Sequence, residues 1–270
     1  MIDVRLWAHV IDHITAIERD PDIALMMLQK AQRLGVRGRL TLLEMGLVDA
    51  MNMMAAEEAS LPPLSISQQQ KLREARGIGY DIVNFDMCGG FLYPTLDKDS
   101  DNARVFRYLV DFQARRQRSF FLLVTYQIKD TGADEYDKYI DGTLSTLSDT
   151  LTSLGRSTAN VTNVRNFYLA KGSLSGQSPH LRRYRFSIPV FLHEVADYAF
   201  QVNALGSWYY KNLYHLIVSF DLRQGGSVLG RGPWPPYDEV KQLLEVPLVR
   251  LKYDKKTSEI QETALKAPSL

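Results

Sequence analysis

The chain has 270 residues, 45% of them hydrophobic, with 32 Lys+Arg against 31 Asp+Glu. That length supports one large domain around a buried core, and the near-neutral balance excludes both a globally basic nucleic-acid-wrapping protein and an acidic disordered chain. A lone cysteine, Cys88, excludes an internal disulfide framework and a multi-cysteine zinc site.

No charge-free apolar stretch of about 20 residues is present to span a membrane. At the N-terminus Asp3, Arg5 and Asp12 interrupt any signal-peptide-like run, so the expected compartment is the cytoplasm. VRLWAHVI, residues 4–11, has helical spacing at Val4, Trp7 and Val10-Ile11. Ile14, Ala16 and Ile17 then form a short apolar strand that ends at Glu18-Arg19-Asp20. Asp20 can cap a helix that starts at Pro21, where a missing N–H costs nothing. Ile23, Met27, Ala31 and Leu34 recur at helical spacing, and Gly35 supplies the C-terminal cap. A second strand follows at Leu40, Leu42 and Leu43, before Glu44 and Gly46. Strand, helix, strand is the unit of a parallel sheet.

Residues 50–79 read as a helix, a loop and a helix, closed by Gly77 and Gly79. Ile82, Val83 and Phe85 form a buried strand ending at Asp86, followed by Cys88, Gly89 and Gly90. A helix from about Asp101 to Arg118 turns Val105, Phe106, Leu109 and Val110 inward. SFFLLVTYQI, residues 119–128, is an apolar run suited to a strand covered on both faces. A polar helix runs to about Leu154; VRNFYLA, RRYRFSIPVFLHEV and YYKNLYHLIVSFDLR then read as β-rich segments. Gly225, Gly226, Gly230, Gly232 and three prolines make residues 225–236 a turn-rich loop. The expected organisation is one domain over residues 1–254 and a polar, disordered tail over 255–270.

This order of pieces resembles the class I S-adenosylmethionine-dependent methyltransferases. The resemblance rests on AIERDP followed at the family's interval by YDIVNFD, covers residues 11–130, and extends more loosely over 185–222. It implies an α/β fold: a three-layer Rossmann-like methyltransferase sheet, mostly parallel, with a C-terminal antiparallel hairpin. It also implies S-adenosylmethionine as cofactor. Glu18 then stands where the family holds the ribose hydroxyls, with Arg19 beside it; Gly46 and Asp49 stand on the adenine side, although the family's Gly-Asp pair is Gly46-Leu47 here. Asp86 stands at the end of the fourth strand, where it serves both cofactor and catalysis. Cys88, Gly89, Thr125 and Tyr126 follow as substrate-side residues, with Tyr126 equally suited to the core. The Asp86-Met87-Cys88-Gly89 loop lacks the prolines of the amino-group and cytosine-C5 subclasses.

Two basic clusters, Arg115-Arg116-Gln117-Arg118 and His180-Leu181-Arg182-Arg183-Tyr184-Arg185, raise nucleic acid as a partner. The second interleaves an aromatic, so Arg182 and Arg183 are its substrate-binding candidates. His193 and His215 read as hydrogen-bonded sheet histidines, and no metal site is expected. The family's Gly-rich turn does not precede Glu18. Three arrangements account for that: an N-terminally shortened chain; a gap filled by a partner chain or by VPLVRLKY, residues 246–253; or a permuted fold in which LIVSFDLRQGGSVLG, residues 216–230, takes the role. The expected activity is methyl transfer, with nucleic acid as the candidate acceptor. The alternative is a catalytically inactive methyltransferase-like subunit for protein or RNA interaction.

Overall fold

A computed structural model of the chain describes residues 11–56, 63–87, 101–128, 133–196, 199–223 and 237–270. The expected single domain is instead two compact units: Met1–Tyr80 with Arg104–Gln117, and Asp81–Ala103 with Arg118–Leu270.

In the first unit, β1 (Ile14–Ile17) and β2 (Leu40–Leu43) pair in parallel, Ile14 opposite Leu40 and Ile17 opposite Leu43. They are joined by α1 (Pro21–Arg33), whose start is set as expected: Asp20 accepts from the N–H groups of Asp22 and Ile23, and Pro21 takes the first turn. Its end is a Schellman closure, because Val36 N–H donates to Ala31 O at 3.0 Å and Gly35 N–H to Gln32 O at 3.1 Å. Gly35 has φ +71°, a conformation only glycine adopts without strain. Of the four spaced residues, Ala31 is buried, Met27 and Leu34 are half-buried and Ile23 is exposed. Ala24 and Ala31 are buried, while Ile23, Leu25 and Met26 are exposed. The apolar residues of α1 go nearly all round it, so spacing alone does not say which side faces in. The unit also holds α2 (Leu47–Ala55), α3 (Ile66–Gly77) and most of α4 (Asp101–Arg115). Val105, Phe106, Leu109 and Val110 of α4 are buried, as their spacing predicts.

The second unit is built on a mixed six-stranded sheet of order β3-β4-β6-β5-β7-β8. Its strands are β3 (Ile82–Met87), β4 (Phe120–Gln127), β5 (Phe200–Tyr210), β6 (Leu213–Leu222), β7 (Leu248–Asp254) and β8 (Glu259–Leu265). β3 runs parallel to β4 and β5 parallel to β7; β6 lies antiparallel between β4 and β5, and β8 antiparallel to β7. The helices are α5 (Ala133–Ser153), α6 (Ala159–Leu169), α7 (Pro179–Ala196) and α8 (Tyr237–Glu245). The α/β class is as expected, but the strands lie in two sheets, and the larger is mixed rather than mostly parallel.

Several expectations are corrected. VRNFYLA lies in α6 and RRYRFSIPVFLHEV in α7, so neither is a strand. Every residue from Leu181 to His193 is buried, with α5, α6, α8 and β5 packed around α7. A helix enclosed on all sides loses the 3.6-residue signature that separates it from a buried strand. β4 is covered on one face only: Phe120, Leu122, Val124 and Tyr126 are buried while Phe121 is exposed. Residues 246–253 do not complete a sheet beside β3, because β7 sits between β5 and β8. Nor does the permuted arrangement hold, because β6 runs antiparallel to both its neighbours. The expected tail is also ordered: β8 pairs with β7, and Leu270 packs in a cluster with Val161, Val164, Tyr168 and Leu244.

Candidate functional site

At the carboxyl end of the β1–β2 pair, the Glu18 N–H donates to Leu43 O at 3.1 Å, which prolongs the parallel ladder by one residue. The half-buried Glu18 side chain accepts from the Asp20 N–H at 2.9 Å through Oε1. That bond fixes the carboxylate at the strand end and leaves acceptor capacity, since a carboxylate offers about four acceptor positions. Arg19 is exposed, and Asp20 is committed to capping α1.

One step further along, Leu43, Glu44 and Met45 at the end of β2 face the start of α3 across a cleft of about 360 Å³. Ser65, Ser67, Gln68 and Lys71 complete its wall. Ser65 and Gln68 form a reciprocal capping box, which orients the first turn of α3. Lys71 Nζ pairs with Glu44 Oε1 at 2.9 Å, with both side chains substantially exposed. Such an exposed pair contributes at most about 1 kcal/mol and separates readily. Gly46 is the N-cap of α2, and a Cβ added there would stand 3.2 Å from Asp49 Oδ2. Asp49 is therefore folded back over Gly46 in the first helical turn, where a carboxylate is favoured by the helix dipole. Sequence reasoning missed Lys71 and Ser65; the Ser-x-x-Gln spacing was the available signal for the latter.

No family model matches the chain, and no curated protein or solved structure matches it.

In the second unit, Asp86 is the penultimate residue of β3, in register with Thr125 of β4. Cys88 and Gly89 lie outside the described residues. The Thr125 hydroxyl is 2.9 Å from Nδ1 of His215, its cross-strand neighbour on β6, so His215 is a sheet histidine as expected. Tyr126 is a core residue rather than a mouth residue. Its ring stacks on Tyr184 at 5.3 Å and tilts against Tyr214 at 5.2 Å, and burial pushes its hydroxyl pKa well above the ordinary value.

The arginines of the second basic cluster point into the fold. Arg182 is fully buried and donates to the carbonyls of Gln177, Ala170 and Gly172. Ala170 is the C-cap of α6, so this cation closes the negative end of that helix. Arg183 grips Asp137 of α5 through two bonds of 2.6 and 2.9 Å. Arg185 donates to Val246 O, Leu265 O and Gln177 Oε1, tying α7 to the open end of the β7–β8 ribbon, where Leu248 pairs with Leu265. The first cluster is also engaged: Arg115 donates to Ala55 O, and Arg116 to Arg76 O. Of the side chains on which the nucleic-acid expectation rested, Arg182, Arg183 and Arg185 are buried in their own unit, while Arg115, Arg116 and Arg118 are exposed.

His193 is in a helix, not a sheet, and closes a network that the sequence did not announce. Its Nε2 lies 2.6 Å from Glu239 Oε2, and Arg223 Nη2 lies 2.6 Å from Glu239 Oε1. Burial raises the Glu239 pKa, but the hydrogen bonds and charges of His193 and Arg223 outweigh it and hold the carboxyl below its ordinary value. Among the described residues, no group of three or more His, Cys, Asp or Glu is placed to hold a metal ion, and no helix is long and apolar enough to cross a membrane.

Proposed function

We propose that this chain is a class I methyltransferase-like protein that binds S-adenosylmethionine at the carboxyl end of the β1–β2 pair. One observation carries the reading: Glu18, at the end of a parallel strand, is bonded through its N–H to Leu43, which lines a polar cleft of the volume class that takes small ligands. Open α/β sheets place ligands outside the carboxyl ends of their strands. The sheet of the second unit supports the same reading, since β6 lies antiparallel between β4 and β5 as in the family's terminal hairpin.

The residues present fit the adenosine part of the cofactor. Glu18, held by the Asp20 N–H, is free to accept from adjacent ribose hydroxyls. Met45 offers apolar surface, while Ser65, Ser67 and Gln68 offer hydrogen-bonding groups. The bound cofactor would supply an electrophilic methyl group. The chain's own part would be to hold the reactants in line, the contribution that positioning makes to any bimolecular step.

Calorimetry with S-adenosylmethionine and its demethylated product tests the reading. Measurable binding that Glu18→Ala weakens at least tenfold is expected. Absence of heat with either ligand overturns it. A non-catalytic methyltransferase-like module is the second reading, favoured by Gly46-Leu47 and the proline-free Asp86-Met87-Cys88-Gly89 loop. It predicts cofactor binding without turnover on any acceptor.

A further inference from the structure

We propose that Arg76, Arg115 and Arg116 form a binding surface for the phosphodiester backbone of a nucleic acid, a site that stands whether or not the cleft holds a cofactor. The three guanidinium groups converge from the ends of α3 and α4 onto the end of α2, all within the first unit. α2 finishes at Ala55, with Ala56 as its C-cap. Arg115, the last residue of α4, donates to Ala55 O, and Arg76, in the last turn of α3, donates to Ala56 O. Arg116 donates to the carbonyl of Arg76 itself, which draws the third cation to the other two. Its guanidinium also lies 5.7 Å from the centre of the Phe112 ring, a cation–π contact that steadies it.

Capping does not account for this much charge. A helix C-terminus carries about half a negative charge, so the ends of α2, α3 and α4 supply about one and a half against three full cations. Elsewhere the chain matches its arginines with acids: Arg165 with Asp141, Arg183 with Asp137, Arg223 with Glu239. Among the described residues, Arg76, Arg115 and Arg116 form no ion pair with a carboxylate. Glu74, on the same helix as Arg76, accepts from Thr41 and Gln70 instead. A guanidinium has five N–H donors. Arg76 and Arg116 each spend one nitrogen on a carbonyl, and Arg115 spends two, on Ala55 O and Asp111 O. Donors are left over on all three.

The surroundings select the partner. Arg115 and Arg116 are exposed and Arg76 is half-buried, so the spare donors face an open surface that a chain of anions can follow. A planar guanidinium fork meets two phosphate oxygens at once, which a point-like cation does not. A protein partner is anchored by buried aromatic or aliphatic side chains. No large hydrophobic side chain is exposed over residues 71–80 or 109–118, so an acidic protein finds no such anchor here. Cations alone suit a backbone that is held without being read, since phosphate contacts position a nucleic acid and carry no sequence information. The cluster is also separate from the cleft: α3 starts there at Ser65 and reaches Arg76 after roughly 16 Å of helix.

Fluorescence anisotropy of a labelled oligouridine, titrated with the full chain at several salt concentrations, tests this. Three phosphate contacts give log K a slope of about −2 against log salt, and a dissociation constant on the order of 10 to 100 µM near 0.15 M salt. Arg116→Gln is expected to bring the slope to about −1.4 and to weaken binding several-fold, while Arg116→Lys keeps the slope. The triple variant Arg76→Gln, Arg115→Gln, Arg116→Gln is expected to lose binding altogether. Far-UV circular dichroism reports folding; if the triple variant does not fold, Arg116 carries the test, because its replacement leaves both caps of α2 in place. Absence of binding up to about 0.5 mM protein overturns the proposal. So does a slope that Arg116→Gln leaves unchanged. Displacement by polyglutamate as effective as by unlabelled oligouridine also overturns it, and marks an acidic protein as the partner.

Discussion

Nε2 of His193, on the enclosed helix α7, donates to Oε2 of Glu239 on α8 at 2.6 Å, while Arg223 at the end of β6 holds the other carboxylate oxygen. One half-exposed cation and one buried imidazole thus share a single acid, and three elements meet at it. Removing the acid takes away the acceptor of Nε2 on an imidazole that is only 4% exposed. Glu239→Ala is expected to cost roughly 3 kcal/mol, the range for breaking a buried pair by removing one partner. The pH dependence follows from the lowered Glu239 pKa. The stabilisation is fully present above the ordinary carboxyl value and is lost as pH falls through the depressed one. Urea midpoints for wild type and Glu239→Ala, measured from pH 7 to pH 3, should converge at the acid end.

Arg182 makes a different kind of contact, a buried cation donating to three main-chain carbonyls. Arg182→Met keeps the aliphatic stem and removes every donor, so the carbonyls of Ala170, Gly172 and Gln177 lose a partner together. A loss of roughly 3 kcal/mol is expected, at about 1 kcal/mol per hydrogen bond. Arg182→Lys should recover little of it, because a point-like ammonium does not reproduce a planar fork. Thermal unfolding of the two variants checks both statements.

Gly206 sits where the β5–β6 register skips Leu205, from Ala204 opposite Val218 to Gly206 opposite Ile217. A Cβ at this position would stand 2.6 Å from the Trp208 indole. Trp208 lies two residues along the same strand face, so the glycine makes room for the ring. Gly206→Ala should destabilise by about 2 kcal/mol through overpacking. Near-UV circular dichroism and tryptophan fluorescence should change at the same time, since the ring has to move.

Asp20 caps α1 with bonds to the N–H groups of Asp22 and Ile23, at 2.9 and 3.3 Å. Asp20→Ala should lower stability by about 1 kcal/mol, and Asp20→Asn by much less, because asparagine keeps an acceptor oxygen. If Glu18 is the cofactor group, the Asn variant retains calorimetric binding while Glu18→Ala does not.

Local chemistry explains which parts were legible. The Asp20-Pro21 start and Gly35 stop of α1 depend on neighbouring backbone groups, so the motif is complete within the segment that carries it. The alternating burial of β4 was hidden by apolar residues on both faces, and α7 was misread as strand for a related reason. When every side of an element is apolar, periodicity carries no direction. The basic cluster at Arg182–Arg185 misled differently: charge in a sequence suggests solvent or phosphate, and here the guanidinium groups donate to buried carbonyls, to the Gln177 amide oxygen and to Asp137.

Length, near-neutral charge and a single cysteine were enough to indicate a folded chain without a disulfide framework, while the order of strand and helix patterns pointed to its α/β class. They could do so because core size and cross-link chemistry scale with composition. Only the tertiary structure decided that the chain forms two units, that β6 lies antiparallel between β4 and β5, and that residues past 254 belong to the sheet. Those facts turn on pairings between segments far apart in the chain. The energy of such a pairing is shared between two strands, so neither strand read alone carries it.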